Sequence, residues 1–206
     1  MTDFFMSNKQ YIFLLIAVTA FTVFGIYKAV TSSITHNRLY RQEEEKIKKL
    51  KYLKDKFSVL DEASIDSAED SELLPGVALY YQLMLQKKDD MEEAFLQLPL
   101  PARYIYTLDI FLSEGGKPSE FFKNNGKPLT DLLVPALCAI GCENEGAIIL
   151  PVKEMYDEDA EDVSLDRNTV EIADAEFEKS REMSGFYIKA AEYIRNSKKY
   201  LISSEQ

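Results

Sequence analysis

The stretch "YIFLLIAVTAFTVFGIY", residues 11–27, carries no charged side chain, and its continuation to Val30 makes twenty residues in which Lys28 is the only charge. At about 1.5 Å rise per residue such a run covers roughly 30 Å as a helix, the thickness of a bilayer's hydrocarbon core. Apolar on all sides, it is no surface helix of a globular domain. Lys28 lies close enough to the end to snorkel to the headgroups, and Tyr11 and Tyr27 stand where interfacial aromatics are favoured. A cleaved signal peptide is the competing reading, because Ala17 and Ala20 are small. The apolar run continues past both, Lys9 is the only basic side chain before it, and no A-x-A site follows. The sequence therefore predicts a short tail at residues 1–10 and an uncleaved transmembrane anchor at residues 11–30. Only Lys9 precedes this span, whereas Lys28, Arg38, Arg41, Lys46, Lys48, Lys49 and Lys51 lie in or after it. By the positive-inside rule the chain is a single-pass inner (cytoplasmic) membrane protein with its bulk in the cytoplasm.

Charge divides along the chain. Residues 1–60 hold ten Lys/Arg against five Asp/Glu, and the remaining residues hold fourteen against thirty, so a net of +5 is followed by one of −16. An acidic domain repels nucleic acid and anionic lipid directly and attracts basic proteins or cations. The basic stalk at residues 31–60 does the opposite and favours an anionic inner leaflet. Within it Ile47, Leu50, Leu53, Phe57 and Leu60 recur at spacings of three and four, an amphipathic helix. That stripe could form a coiled coil, pack on its own domain or rest on headgroups; the spacing leaves all three open, and with them a homodimer. "DEASIDSAEDSE", residues 61–72, reads as an acidic linker.

From residue 73 to residue 203 the pattern is helical, with punctuation at each join. Leu79 and Leu83 share a stripe with Gln86, beside Tyr80, Met84 and Lys87. Asp90 and Glu93 have capping-box spacing, and Pro101 suits a first helical turn. Gly115, Gly116, Gly126 and Gly141 are placed as structural turns that end helices. Pro135 and Pro151 are expected to kink or split their segments. The strand-like "AIIL" is too short to arbitrate, no hairpin signal stands out, and Phe186, Ala190, Tyr193, Ile194 and Leu201 mark a final apolar face. The fold class is all-α: a transmembrane helix, a basic stalk helix and a multi-helix acidic domain.

Little in the composition points to catalysis. "SEGGKPSEFFKNNGKPLTD", residues 113–131, matches neither phosphate-binding glycine pattern and follows no strand, so it reads as a turn between helices. The lone His36 lies in the stalk, which leaves the acidic domain without an imidazole for acid–base work. Cys138 and Cys142, four apart, would share a helical face as small buried thiols, without partners for zinc. The run "DEDAEDVSLD", residues 157–166, fails as an EF-hand, with Asp162 where glycine is needed and Asn168 where the bidentate Glu belongs. No cofactor or metal is expected, and a carboxylate-based hydrolase is the weakest alternative.

The order of these features resembles the DNA mimic protein nineteen family, a bacterial helical domain of unknown function. Gly115, Gly116, Phe121, Phe122, Asn124 or Asn125, Gly126, Leu137, Ile140 and Gly141 occupy the places of its glycine-ended helices, and "FYIKAAEYIRNS" is similar to its last helix. The resemblance spans about residues 73–203. It implies an all-helical, often dimeric domain whose acidic face occupies the DNA-binding surface of a protein. The expectation is thus an acidic interaction protein at the membrane, not an enzyme. Its partner would be a basic, nucleic-acid-binding protein, contacted through Asp157, Glu158, Asp159, Glu161, Asp162 and Asp166. A scaffold subunit of a membrane complex is the alternative.

Overall fold

The computed structural model describes residues 41, 43–156 and 167–202, and every regular element among them is an α-helix. The anchor expected at residues 11–30 lies outside the described residues; among those described, no helix is long and apolar enough to cross a membrane. The chain divides into two units, Met1–Lys51 and Tyr52–Gln206. In the first, residues 43–51 belong to helix α1, described here over residues 43–56, and are exposed throughout, with Lys48 bridging Glu44 at 2.8 Å.

The second unit begins with the last residues of α1. Leu53 and, just beyond the helix, Phe57 and Leu60 are buried in its core, so this part of the amphipathic stripe packs on its own domain. Residues 61–72, expected as a linker, are folded instead. Asp61 and Ser64 cap α2 (Glu62–Asp66) reciprocally, through bonds of 2.7 and 3.0 Å, and Ile65 and Ala68 are buried. Three acidic side chains here are paired with cations from elsewhere in the chain. Lys56 reaches Glu72 at 2.6 Å, Arg195 reaches Asp70 at 2.7 Å and the Ala68 carbonyl at 3.0 Å, and Lys198 reaches Asp66 at 2.9 Å. Lys56 holds the Glu72 carboxyl below the usual carboxylate range, and Glu72 in turn raises the Lys56 ammonium.

Helix α3 (Asp70–Leu85) is the hub, packing chiefly on α10 (Phe186–Ile202) and α5 (Leu100–Ser113). Its buried residues, Leu73, Leu74, Val77, Ala78, Tyr81 and Leu85 among them, run round most of the helix, and the expected partners of the stripe, Leu83, Met84 and Tyr80, lie at its half-buried edge. The Tyr81 hydroxyl donates to the Leu201 carbonyl at 2.8 Å and satisfies a polar group in the core. Asp90 caps the short α4 (Met91–Gln97) by accepting from the Glu93 N–H at 2.9 Å.

Beyond α5 come α6 (Pro118–Asn124), α7 (Leu129–Ala139), α8 (Glu143–Met155) and α9 (Arg167–Met183), with α5 on α7, α7 on α8 and α8 on α9. The Phe pair of the glycine-rich stretch anchors α6. Phe121 stands edge-on to Phe111, which stands edge-on to Phe177, with ring centroids 5.4 and 5.0 Å apart. "AIIL" lies within α8, and α7 and α8 run unbroken through Pro135 and Pro151. Both prolines are exposed, so water can bond the carbonyl that each ring leaves without a partner.

Candidate functional site

The glycine-rich corner is built as helix termini. At the end of α5 the Gly116 N–H bonds the Phe111 carbonyl at 2.9 Å and the Gly115 N–H bonds that of Leu112 at 3.1 Å; φ is +103° at Gly115 and +67° at Gly116. At the end of α7 the Cys142 N–H bonds the Leu137 carbonyl at 2.8 Å and the Gly141 N–H bonds that of Cys138 at 3.0 Å, with φ of +80° at Gly141. Both are Schellman caps, which need the left-handed conformation that glycine adopts without strain. Gly126 does not follow this pattern. Helix α6 already ends at Asn124, its cap Asn125 is extended, and Gly126 is not among the glycines at positive φ. Asn125 fixes that end through its side-chain N–H groups, which donate to Glu114 at 2.8 Å and to the Phe121 carbonyl at 3.0 Å. The start of α6 is capped from α9, since Asp174 accepts from the Ser119 N–H at 3.0 Å and from its hydroxyl.

The same corner separates the two cysteines. Cys138 is exposed near the end of α7, whereas Cys142 is buried at the cap of α8, so Gly141 prevents them from sharing one helical face. Burial, with Glu145 and Glu143 nearby, pushes the Cys142 thiol up to about 11; protonated at neutral pH, it is a poor nucleophile.

Glu145, in the first turn of α8, is 2% exposed and accepts a bond from the Ser180 hydroxyl at 2.8 Å. Burial alone would raise its carboxyl, but the Ser180 and Ser184 hydroxyls, its backbone N–H and Lys189 outweigh it and hold the group below the usual carboxylate range. Lys189 also donates to the Gly141 carbonyl at 2.7 Å. These bonds tie α8 to α9 and α10 around a satisfied, ionised carboxylate. The signal for it was local, a Glu three residues after the cap in "CENE". Asp109 on α5 behaves oppositely, with burial pushing its carboxyl up to about 7.

Asp157, Glu158, Asp159, Glu161, Asp162 and Asp166 lie outside the described residues, between the ends of α8 and α9. Their charge continues along α9. Ala173 and Phe177 turn into the core, Asp174 and Ser180 bond neighbouring helices, and Glu171, Glu176, Glu178 and Glu182 remain exposed. Glu171, Glu178 and Glu182 fall on one stripe, seven and eleven residues apart. The exposed side chains of Ile172 and Met183 share the outer surface with these carboxylates.

Three of the clefts on the described surface of the second unit bear on whether it could hold a ligand. The most apolar, about 200 Å³ between α4, α5 and the loop before α7, includes Leu85, Phe95, Tyr106 and Leu129, with Glu92 as its one carboxylate. It is smaller than the roughly 300–1,000 Å³ of sites that enclose drug-sized ligands. A small polar cleft holds Asp131 beside Lys153, and an open one near Tyr200 holds no carboxylate. None of the three brings two carboxylates together, and among the described residues no group of three potential metal ligands converges. Comparison with protein-family models, with curated proteins and with solved structures finds no match.

Proposed function

We propose that this protein is a membrane-anchored acidic interaction protein that holds a basic partner at the cytoplasmic face by charge complementarity. The observation that carries this reading is the outer face of α9, where Glu171, Glu176, Glu178 and Glu182 are exposed with Lys179 as the one exposed cation among the described side chains of the helix, while Ala173 and Phe177 are buried on the opposite side. Directly before it in sequence comes the run containing Asp157, Glu158, Asp159, Glu161, Asp162 and Asp166. Glu178 and Glu182, four residues apart, are like-charged neighbours on this helix and repel. A cationic surface would relieve that repulsion. Exposed Ile172 and Met183 add apolar area to an otherwise electrostatic contact.

The resemblance to the DNA mimic protein nineteen family supports a nucleic-acid-binding partner, and the apolar run at residues 11–30 supports sequestration at the inner membrane. Mimicry requires that duplex DNA and this protein exclude one another on the partner. The test is capture of basic proteins by the detergent-solubilised chain at low and high salt, followed by competition with duplex DNA. Binding that falls steeply with salt and is displaced by DNA supports the proposal, because exposed charges are screened beyond about 10 Å at 0.1 M. Binding unchanged when Glu171, Glu176, Glu178, Glu182 and the acidic residues of 157–166 are neutralised together sinks it. A partner that binds DNA and the protein at once leaves the scaffold reading.

A further inference from the structure

We infer that residues 43–54 dock on an anionic bilayer surface through Ile47 and Leu50. The apolar stripe of this segment meets two fates. Leu53, Phe57 and Leu60 are at most 3% exposed, whereas Leu50 and Ile47, one and two turns earlier, are 55% and 66% exposed. Lysines flank this exposed pair on its own face: Lys46 precedes Leu50 by four residues, Lys51 follows Ile47 by four, and Lys54 follows Leu50 by four. All three are exposed. Residues four apart are neighbours on a helix surface, so each apolar side chain has an ammonium beside it. Lysine stems can lie along apolar surface while their charges reach the phosphates, which is the arrangement of a helix lying in a bilayer interface.

The acidic residues do not cancel this face. Glu44 is engaged with Lys48, Glu45 lies on the far side of the helix at about 100° per residue, and Glu43, four residues before Ile47, shares the face but is outnumbered there by Lys46, Lys51 and Lys54. A second copy of the helix is a poorer cover. On the seam made by Leu50, Leu53, Phe57 and Leu60, the preceding heptad positions hold Lys46 and Glu43, which interrupt the apolar contact that a coiled coil needs. The inference rests on the reading of residues 11–30 as an anchor, which puts residue 43 thirteen residues beyond the bilayer span.

The chain contains no tryptophan, so Ile47→Trp introduces a sole indole. The full chain carrying it is reconstituted in nanodiscs of phosphatidylcholine alone or with phosphatidylglycerol, with acyl chains brominated or not. Blue-shifted emission and about twofold or greater quenching by bromine are expected in the anionic discs. Replacing Lys46, Lys51 and Lys54 together with Glu should remove most of the quenching. No quenching in anionic discs, or equal quenching in neutral ones, overturns the inference. So does a blue shift that ignores bromine and follows the number of copies per disc, which would give the face to a second copy. Alkaline carbonate distinguishes failure of the anchor, since a chain that it releases does not span. The same indole then reads adsorption of the full chain to anionic vesicles, where quenching upholds the inference and its absence overturns it.

Discussion

At the scale of single residues, Gly76 is held by its neighbour rather than by its backbone. A Cβ built there would lie 2.1 Å from Cε2 and 2.3 Å from Cδ2 of the Phe57 ring, and Phe57 is itself buried. In an open helix, Gly→Ala stabilises by about 1 kcal/mol. Here the ring must leave its place, and overpacking of this kind costs about 1–3 kcal/mol. Gly76→Ala is therefore expected to lower stability by about 1–2 kcal/mol in urea unfolding of the second unit's transition, and Phe57→Leu in the same chain should return part of it. A Gly76→Ala protein more stable than its parent would show that the ring has room to move. Nothing in the sequence near Gly76 announces this contact, because Phe57 lies nineteen positions earlier in a stretch set apart by charge. The apolar spacing that includes Phe57 was legible, and what it packs against was not.

At the scale of elements, the glycine-ended helices were readable wherever a backbone rule alone decides. Gly115 and Gly141 sit at positive φ because a Schellman cap demands it at the residue just past the helix. Gly126 looked the same in sequence, but the extended Asn125 had already turned the chain. The two positions therefore separate in their response to substitution. No atom lies within 4 Å of a Cβ placed at either Gly126 or Gly141, so only backbone strain differs. Gly141→Val should cost about 1–2 kcal/mol by thermal or urea unfolding, and Gly126→Val a few tenths at most. Equal losses would refute the assignment. Pro135 and Pro151 do not split their helices for a related reason, since the carbonyl that each ring frees lies where solvent can bond it. The acidic stretch at residues 61–72 was misread because its cations, Lys56, Arg195 and Lys198, arrive from outside it, two of them from more than a hundred residues away, where composition cannot see them.

At the scale of the whole molecule, one buried acid sets how stability responds to pH. The Asp109 carboxyl is raised from the ordinary 3.8 to about 7 by burial. Below about pH 4 the group is neutral in both the folded and the unfolded chain. Between pH 4 and 7 the unfolded chain ionises first, so stability falls as pH rises, and above 7 the loss is constant. The full shift would correspond to about 4 kcal/mol; because Asp109 is partly exposed, about 1–2 kcal/mol is the expected size. Asp109→Asn should thus unfold at higher urea than the parent at pH 8, with the gap closing at pH 4. A gap of constant size would place the effect in packing rather than in a proton. In the candidate interface, the charge imbalance was plain in the sequence and the stripe on α9 was not, because only packing decides which of its carboxylates stay outside.

The bond from Tyr81 to Leu201 joins residues 120 apart, and it marks how far α3 lies in sequence from the helix that covers it. A ribosome adds about 5–20 residues per second, so α10 is made on the order of ten seconds after α3. Through that interval Leu74, Val77 and Tyr81 have no α10 to cover them. If residues 11–30 have by then entered the bilayer, the waiting helix is tethered within reach of it. A helix apolar round most of its circumference is the kind of segment that a holding chaperone binds, so the final fold requires a period of protection during synthesis.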